Sequence, residues 1–101
     1  MKIISRDIET RSTVDLRRVG PWRYASDPST EVIFVGYAID AGPVQIWRPG
    51  EPIPEVFYQA ARDPCWCAIA HNAQFEIAIE QLVLGPRFGW PLIPLQRQRW
   101  P

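Results

Sequence analysis

Asp7-Ile8-Glu9-Thr10 closes a short apolar run at the start of the chain, and the spacing of its two acids is the first chemical signal in the sequence. Side chains alternate faces along an extended strand, so Asp7 and Glu9 project from one face while Ile8 points to the other. Two carboxylates held that close repel by an energy on the order of a few kcal/mol at a partly shielded site. Two readings stay open: acids solvated where a strand ends, or hard oxygen donors for a divalent cation that removes the repulsion. A second cluster, His71-Asn72-Ala73-Gln74-Phe75-Glu76, stands far downstream. If the fold brings its helix to the end of the first strand, Glu76 becomes a third carboxylate facing Asp7 and Glu9. Glu80 shares the helix face of Glu76, one turn further on.

The elements that would position these residues follow from the pattern. Residues 2–9 read as a first strand, with Ile3, Ile4 and Ile8 as its β-branched content. From Thr10 to Glu31 the pattern is polar and irregular, broken at Gly20-Pro21 and Asp27-Pro28, and reads as a long connection. Val32 to Asp40 is the strongest strand signal, turning at Asp40-Ala41-Gly42 into a hairpin partner over Val44 to Trp47. Pro54 opens a helix that runs to about Arg62, where Asp63-Pro64 ends it. Cys65 to Ala70 is a wholly apolar run, expected as a buried strand parallel to the first. A second helix then starts at Asn72 as N-cap, buries Phe75, Ile79 and Leu82, and stops at Gly85-Pro86. The proline-rich tail over 86–101 has no regular pattern. The order β-β-β-α-β-α predicts an α/β fold, a mixed sheet with helices on its faces.

With this order in place, the sequence resembles a known family. D-I-E-T near the N-terminus and A-H-N-A-x-F-E after a strand look like the first two motifs of the DEDD superfamily of 3′–5′ proofreading exonucleases. They are most similar to those of the exonuclease domains of phage-type family A DNA polymerases, whose fold is ribonuclease H-like. The strand at Gly36-Tyr37-Ala38 and the segment Trp47 to Gly50 extend the resemblance. It implies that Asp7, Glu9 and Glu76 are catalytic and hold Mg²⁺ or Mn²⁺, two ions in the intact site, for phosphodiester hydrolysis. Glu76 stands where the family generally has an Asp. Asn72 matches a residue that contacts the terminal nucleotide, and Thr10, Phe75 and His71 fall at substrate-binding positions. On the residues alone, Asn72 is equally a helix cap, Phe75 a core side chain, His71 a junction residue and Thr10 the start of a loop.

The family's third motif, Tyr or His followed by x-x-x-Asp on a later helix, has no counterpart among the 101 residues. The expectation is therefore residues 1–101 as a partial ribonuclease H-like exonuclease domain, truncated before its last strand and helix and weakly active or inactive alone. The alternative is a non-catalytic remnant of the same fold that binds nucleic acid or another partner. The expected partners are nucleic acid, a single-stranded DNA 3′ end above all, and a downstream polymerase segment. Self-association is also expected, through an unpaired strand edge at Cys65 to Ala70.

Composition bounds these readings. At 101 residues with 47% hydrophobic and 12% aromatic content, the chain is long enough for one modest core and is not a disordered segment. Its formal net charge of zero does not announce a polyanion binder, although Arg6, Arg11, Arg17, Arg18 and Arg23 crowd the first quarter. Those arginines are either solvated loop charge or a phosphate-facing patch. Cys65 and Cys67, with one histidine in the chain, are too few for a structural zinc site and read as buried thiols of a reducing compartment. No signal segment or membrane span is legible, so a cytoplasmic location is expected.

Overall fold

In the computed structural model, which describes residues 1–99, a five-stranded mixed sheet has the order β3-β2-β1-β4-β5. The strand β1 (Lys2–Arg11) lies between β2 (Glu31–Ile39), to which it is antiparallel, and β4 (Trp66–Ile69), to which it is parallel. A short β3 (Gln45–Trp47) extends the antiparallel side. The hairpin between β2 and β3 reverses at Asp40, whose positive φ of 53° is tolerated because its carboxylate takes the Ile3 N–H at 2.9 Å.

Alternation along the strands makes one face of the sheet the core. Ile4 and Ile8 of β1, Val35 and Tyr37 of β2, Trp47 of β3 and Trp66 and Ala68 of β4 are all buried on that face. Three helices contribute to the same cluster: α1 (Leu16–Ser26) through Tyr24 and Ala25, α2 (Glu55–Arg62) through Phe57 and Ala60, and α3 (Ala73–Ile79) through Ala78 and Ile79. Phe57 and Trp47 are almost fully enclosed, and each such side chain contributes roughly 1.5–3 kcal/mol by leaving water. The helices expected on both faces thus lie on one. The other face carries Ser5, Asp7, Gly36, Ala38, Ile46 and Ile69, with no helix of the described residues over it.

Several sequence expectations are corrected. The stretch read as an irregular connection holds α1, capped by the Asp15 side chain accepting the Arg17 N–H at 3.0 Å. The Gly20-Pro21 pair kinks this helix rather than preventing it, because glycine accepts the left-handed φ of 82° and proline restarts the next turn. Beyond Ile79 the chain continues through a π-helical turn over Glu80–Leu84 into α4 (Gly85–Phe88), so Gly85-Pro86 does not stop it. The stop is Gly89, in the left-handed region at φ 70°. Within the wider π turn Glu80, Val83 and Leu84 are enclosed and Leu82 is exposed. In the tail, a 3₁₀ turn over Leu95–Arg97 leads into β5 (Gln98–Arg99), parallel to β4. The edge expected to be bare is therefore paired at Ala68 and Ile69. Trp100 and Pro101, the last of the tail read as irregular, lie outside the described residues. Cys67 is buried as expected, but Cys65 lies before β4 and is exposed.

Candidate functional site

The site grows from the C-terminal half of β1. Because β4 pairs with β1 only as far as Ser5, the backbone of Ile8 has no strand on that side, and its N–H is free for another acceptor. The acceptor is Glu76, whose Oε2 takes the bond at 3.0 Å from the first turns of α3. Sequence reasoning thus brought the right helix to the right strand. What it did not foresee is that Glu76 is buried and committed to the Ile8 backbone. Asp7 and Glu9 are exposed on the open face.

Burial pushes the Glu76 carboxyl up from the ordinary glutamate value to about 7. The Ile8 N–H and the Arg6 guanidinium pull it back, while Asp7 and Glu80 push it further up. Arg6 is the residue that sequence reading missed. It points to the core face and grips Glu80 with two parallel bonds, Nε to Oε2 at 3.0 Å and Nη2 to Oε1 at 2.8 Å. Nη2 also donates to Gln98 Oε1 at 2.7 Å, which ties β5 to β1, and the buried Nη1 has no protein partner among the described residues. The available signal was parity: Arg6 alternates with Ile4 and Ile8, so a buried arginine demanded a buried acid.

The remaining predicted residues fall around this core. Thr10 bonds the Tyr24 hydroxyl of α1 at 2.7 Å, and Tyr24 packs on Phe75 with ring centroids 5.9 Å apart. Phe75 is half-buried against the core, and neither ring nor hydroxyl is free at this junction. Asn72 is exposed and occupies the N-cap position without a side-chain cap; its carbonyl accepts from Phe75 and Glu76 instead. Its amide is therefore available to a ligand. His71 is exposed at the end of β4 and lines, with Asp7, a hollow of about 520 Å³ on the open face. Phe34, Val44, Ile46 and Ile69 form its apolar walls and Gly36, opposite Asp7, its floor.

As donors, Asp7 and Glu9 suit a hard divalent ion: two carboxylates on one face, neither held by a side-chain partner among the described residues. Glu76 does not join them in this arrangement, and among the described residues no three His, Cys, Asp or Glu side chains are grouped to hold a metal. No helix of the described residues is long and apolar enough to cross a membrane.

The chain is similar to a DNA polymerase of Bacillus phage SP02, with 34% identity over 98 residues. The match spans 95% of this chain and 14% of that polymerase, so nearly the whole chain is related to one stretch of a much longer protein. No family model and no solved structure matches the chain.

Proposed function

We propose that the chain is the nucleic-acid-processing start of a phage-type DNA polymerase, the first part of its 3′–5′ exonuclease domain. The observation that carries this reading is the pair Asp7 and Glu9 on the open end of β1, with the helix of the second motif bonded to the same strand through Glu76. The polymerase similarity supports the general class.

In this reading Asp7 and Glu9 hold Mg²⁺ or Mn²⁺, with Glu76 as the third donor when its bond to Ile8 is released. A bound ion of this kind supplies an activated water and charge neutralisation at a phosphodiester. The chain's own residues do the positioning. His71 lines the hollow where a terminal nucleotide would meet Asp7, and Asn72 follows it at the N-cap of α3. Phe34 and Ile69 offer that nucleotide apolar surface and exclude water from beneath it. Thr10 and Phe75 act through Tyr24, fixing α1 against the end of β1. The missing counterpart of a third carboxylate motif predicts slow turnover for these 101 residues by themselves. A non-catalytic, nucleic-acid-binding role is the second reading, favoured by the Glu76 bond that keeps the three acids apart.

The test is release of 5′-mononucleotides from a single-stranded oligonucleotide with Mg²⁺ or Mn²⁺, for the wild-type chain and Asp7→Ala. Mn²⁺ is titrated calorimetrically into the wild type and Asp7→Asn in parallel. Slow release and heats that both depend on Asp7 support the exonuclease reading. Identical isotherms with no Asp7-dependent release would leave the binding role.

A further inference from the structure

The exposed side of α1 concentrates three arginines and a tryptophan. Its exposed residues are Arg17, Arg18, Trp22, Arg23 and Ser26, with no acid among them. Arg17 and Arg18 stand in the first turn of the helix with no acidic residue beside them, an arrangement that the helix dipole disfavours. None of the three arginine side chains has an ion-pair or hydrogen-bond partner among the described residues, whereas exposed Arg11 and Arg62 are paired with Glu31 and Glu55. The flanking Asp15 and Asp27 are engaged locally, with the Arg17 N–H and with Ser29. Trp22 presents 45% of its surface to solvent, although Tyr24 two residues on is buried. Helix stability explains neither the cations nor the tryptophan.

We infer that α1 is a docking surface for single-stranded nucleic acid, with Arg17, Arg18 and Arg23 meeting backbone phosphates and Trp22 stacking on a base. Unpaired arginines interleaved with an exposed aromatic provide the two contacts that sequence-independent single-strand binding uses. The Thr10–Tyr24 bond ties α1 to the end of β1 one residue beyond Glu9, on the sheet face opposite the acids. The inference deepens the nucleic-acid reading proposed above and rests on it, but it requires neither metal nor hydrolysis.

The test is fluorescence anisotropy of a short fluorescein-labelled oligothymidylate, in EDTA and over a range of salt concentrations. Compared are the wild type, the α1 variant Arg17→Gln/Arg18→Gln/Arg23→Gln, Trp22→Ala, and a control of equal charge loss, Lys2→Gln/Arg48→Gln/Arg62→Gln. The α1 variant should bind at least tenfold more weakly, with a salt slope shallower by about 2, since each single-strand phosphate contact contributes about 0.7. Trp22→Ala should weaken binding about tenfold with the slope unchanged. The control should stay close to wild type. Equal losses in the α1 variant and the control would overturn the inference. So would absence of binding by the wild type, or binding to phosphatidylserine vesicles in place of the oligonucleotide. If the triple variant melts early, the three single substitutions, each at an exposed position, carry the same comparison. Because binding is read in EDTA, failure of metal-dependent hydrolysis leaves this result standing, and the reverse also holds.

Discussion

Arg6 and Glu80 form a buried ion pair, 0% and 6% exposed at the side chain, next to a glutamate that is itself enclosed. Removing one partner of such a pair strands the other charge and costs about 3–5 kcal/mol, a large share of the 5–15 kcal/mol that holds a typical domain. Arg6→Met should therefore lower the midpoint of urea unfolding severely, while Arg6→Met/Glu80→Met should recover much of the loss. Glu76 gives a pH signature of its own. Its folded pKa of about 7 lies above the ordinary 4.5, so the folded chain binds the proton more tightly than the unfolded one. Stability from this group is thus greatest below pH 4.5 and is lost as pH rises through 7. The total is up to about 3 kcal/mol at 1.36 kcal/mol per unit. Melting curves between pH 5 and 8 should show the wild type weakening as pH rises. Glu76→Gln keeps an oxygen for the Ile8 N–H, and its melts should be flat over that range. The position of Glu76 was legible, because Asn72 marks a helix start and the apolar Cys65 to Ala70 run sets the strand before it. Its burial was not, since that depends on Arg6 and Glu80 pairing across 74 residues of sequence.

At the scale of elements, the tail is held by side chains more than by its own pattern. Arg97 donates to the carbonyls of Ala60 and Ala61 at 2.8 and 2.7 Å, satisfying acceptors that the end of α2 leaves open. Gln98 completes the attachment through Arg6 and through the Ile93 carbonyl. Arg97→Ala should cost about 1–3 kcal/mol by leaving those carbonyls unmet. It should also speed hydrogen exchange at the β4–β5 pairs, a change read residue by residue in NMR. A two-residue strand of glutamine and arginine carries no alternation to read, which is why β5 was invisible in the sequence. The hairpin of β2 and β3 was legible for the opposite reason: a long β-branched and aromatic run over Val32 to Ile39 meets a tight turn and returns at Val44 to Trp47. For α1, Gly20-Pro21 was read as a break because both residues disfavour a helix interior, and the structure accommodates them at a kink.

For the whole molecule, the radius of gyration of 13.0 Å equals that expected of a folded domain of about 100 residues. The layers are uneven: three helices and a π turn over one sheet face, and an open hollow on the other. Val44 and Ile46 on that open side are 71% and 40% exposed. Contiguous apolar surface of this kind attracts other apolar matter. Val44→Lys/Ile46→Lys should raise the solubility limit and reduce the fluorescence of an apolar dye, with little change in melting temperature because both side chains are already largely in water.

The bond from Arg6 to Gln98 joins residues 92 apart in the chain. Closing so long a loop is slow and entropically costly, and the reward arrives only when both ends are present. During synthesis, therefore, β1 emerges well before Gln98, and its buried arginine waits for the intervening residues before that bond can form. A nascent chain halted before Gln98 keeps the far edge of β4 unpaired at Ala68 and Ile69. The time between the emergence of β4 and that of β5 thus governs how long that sticky edge stays open to its neighbours.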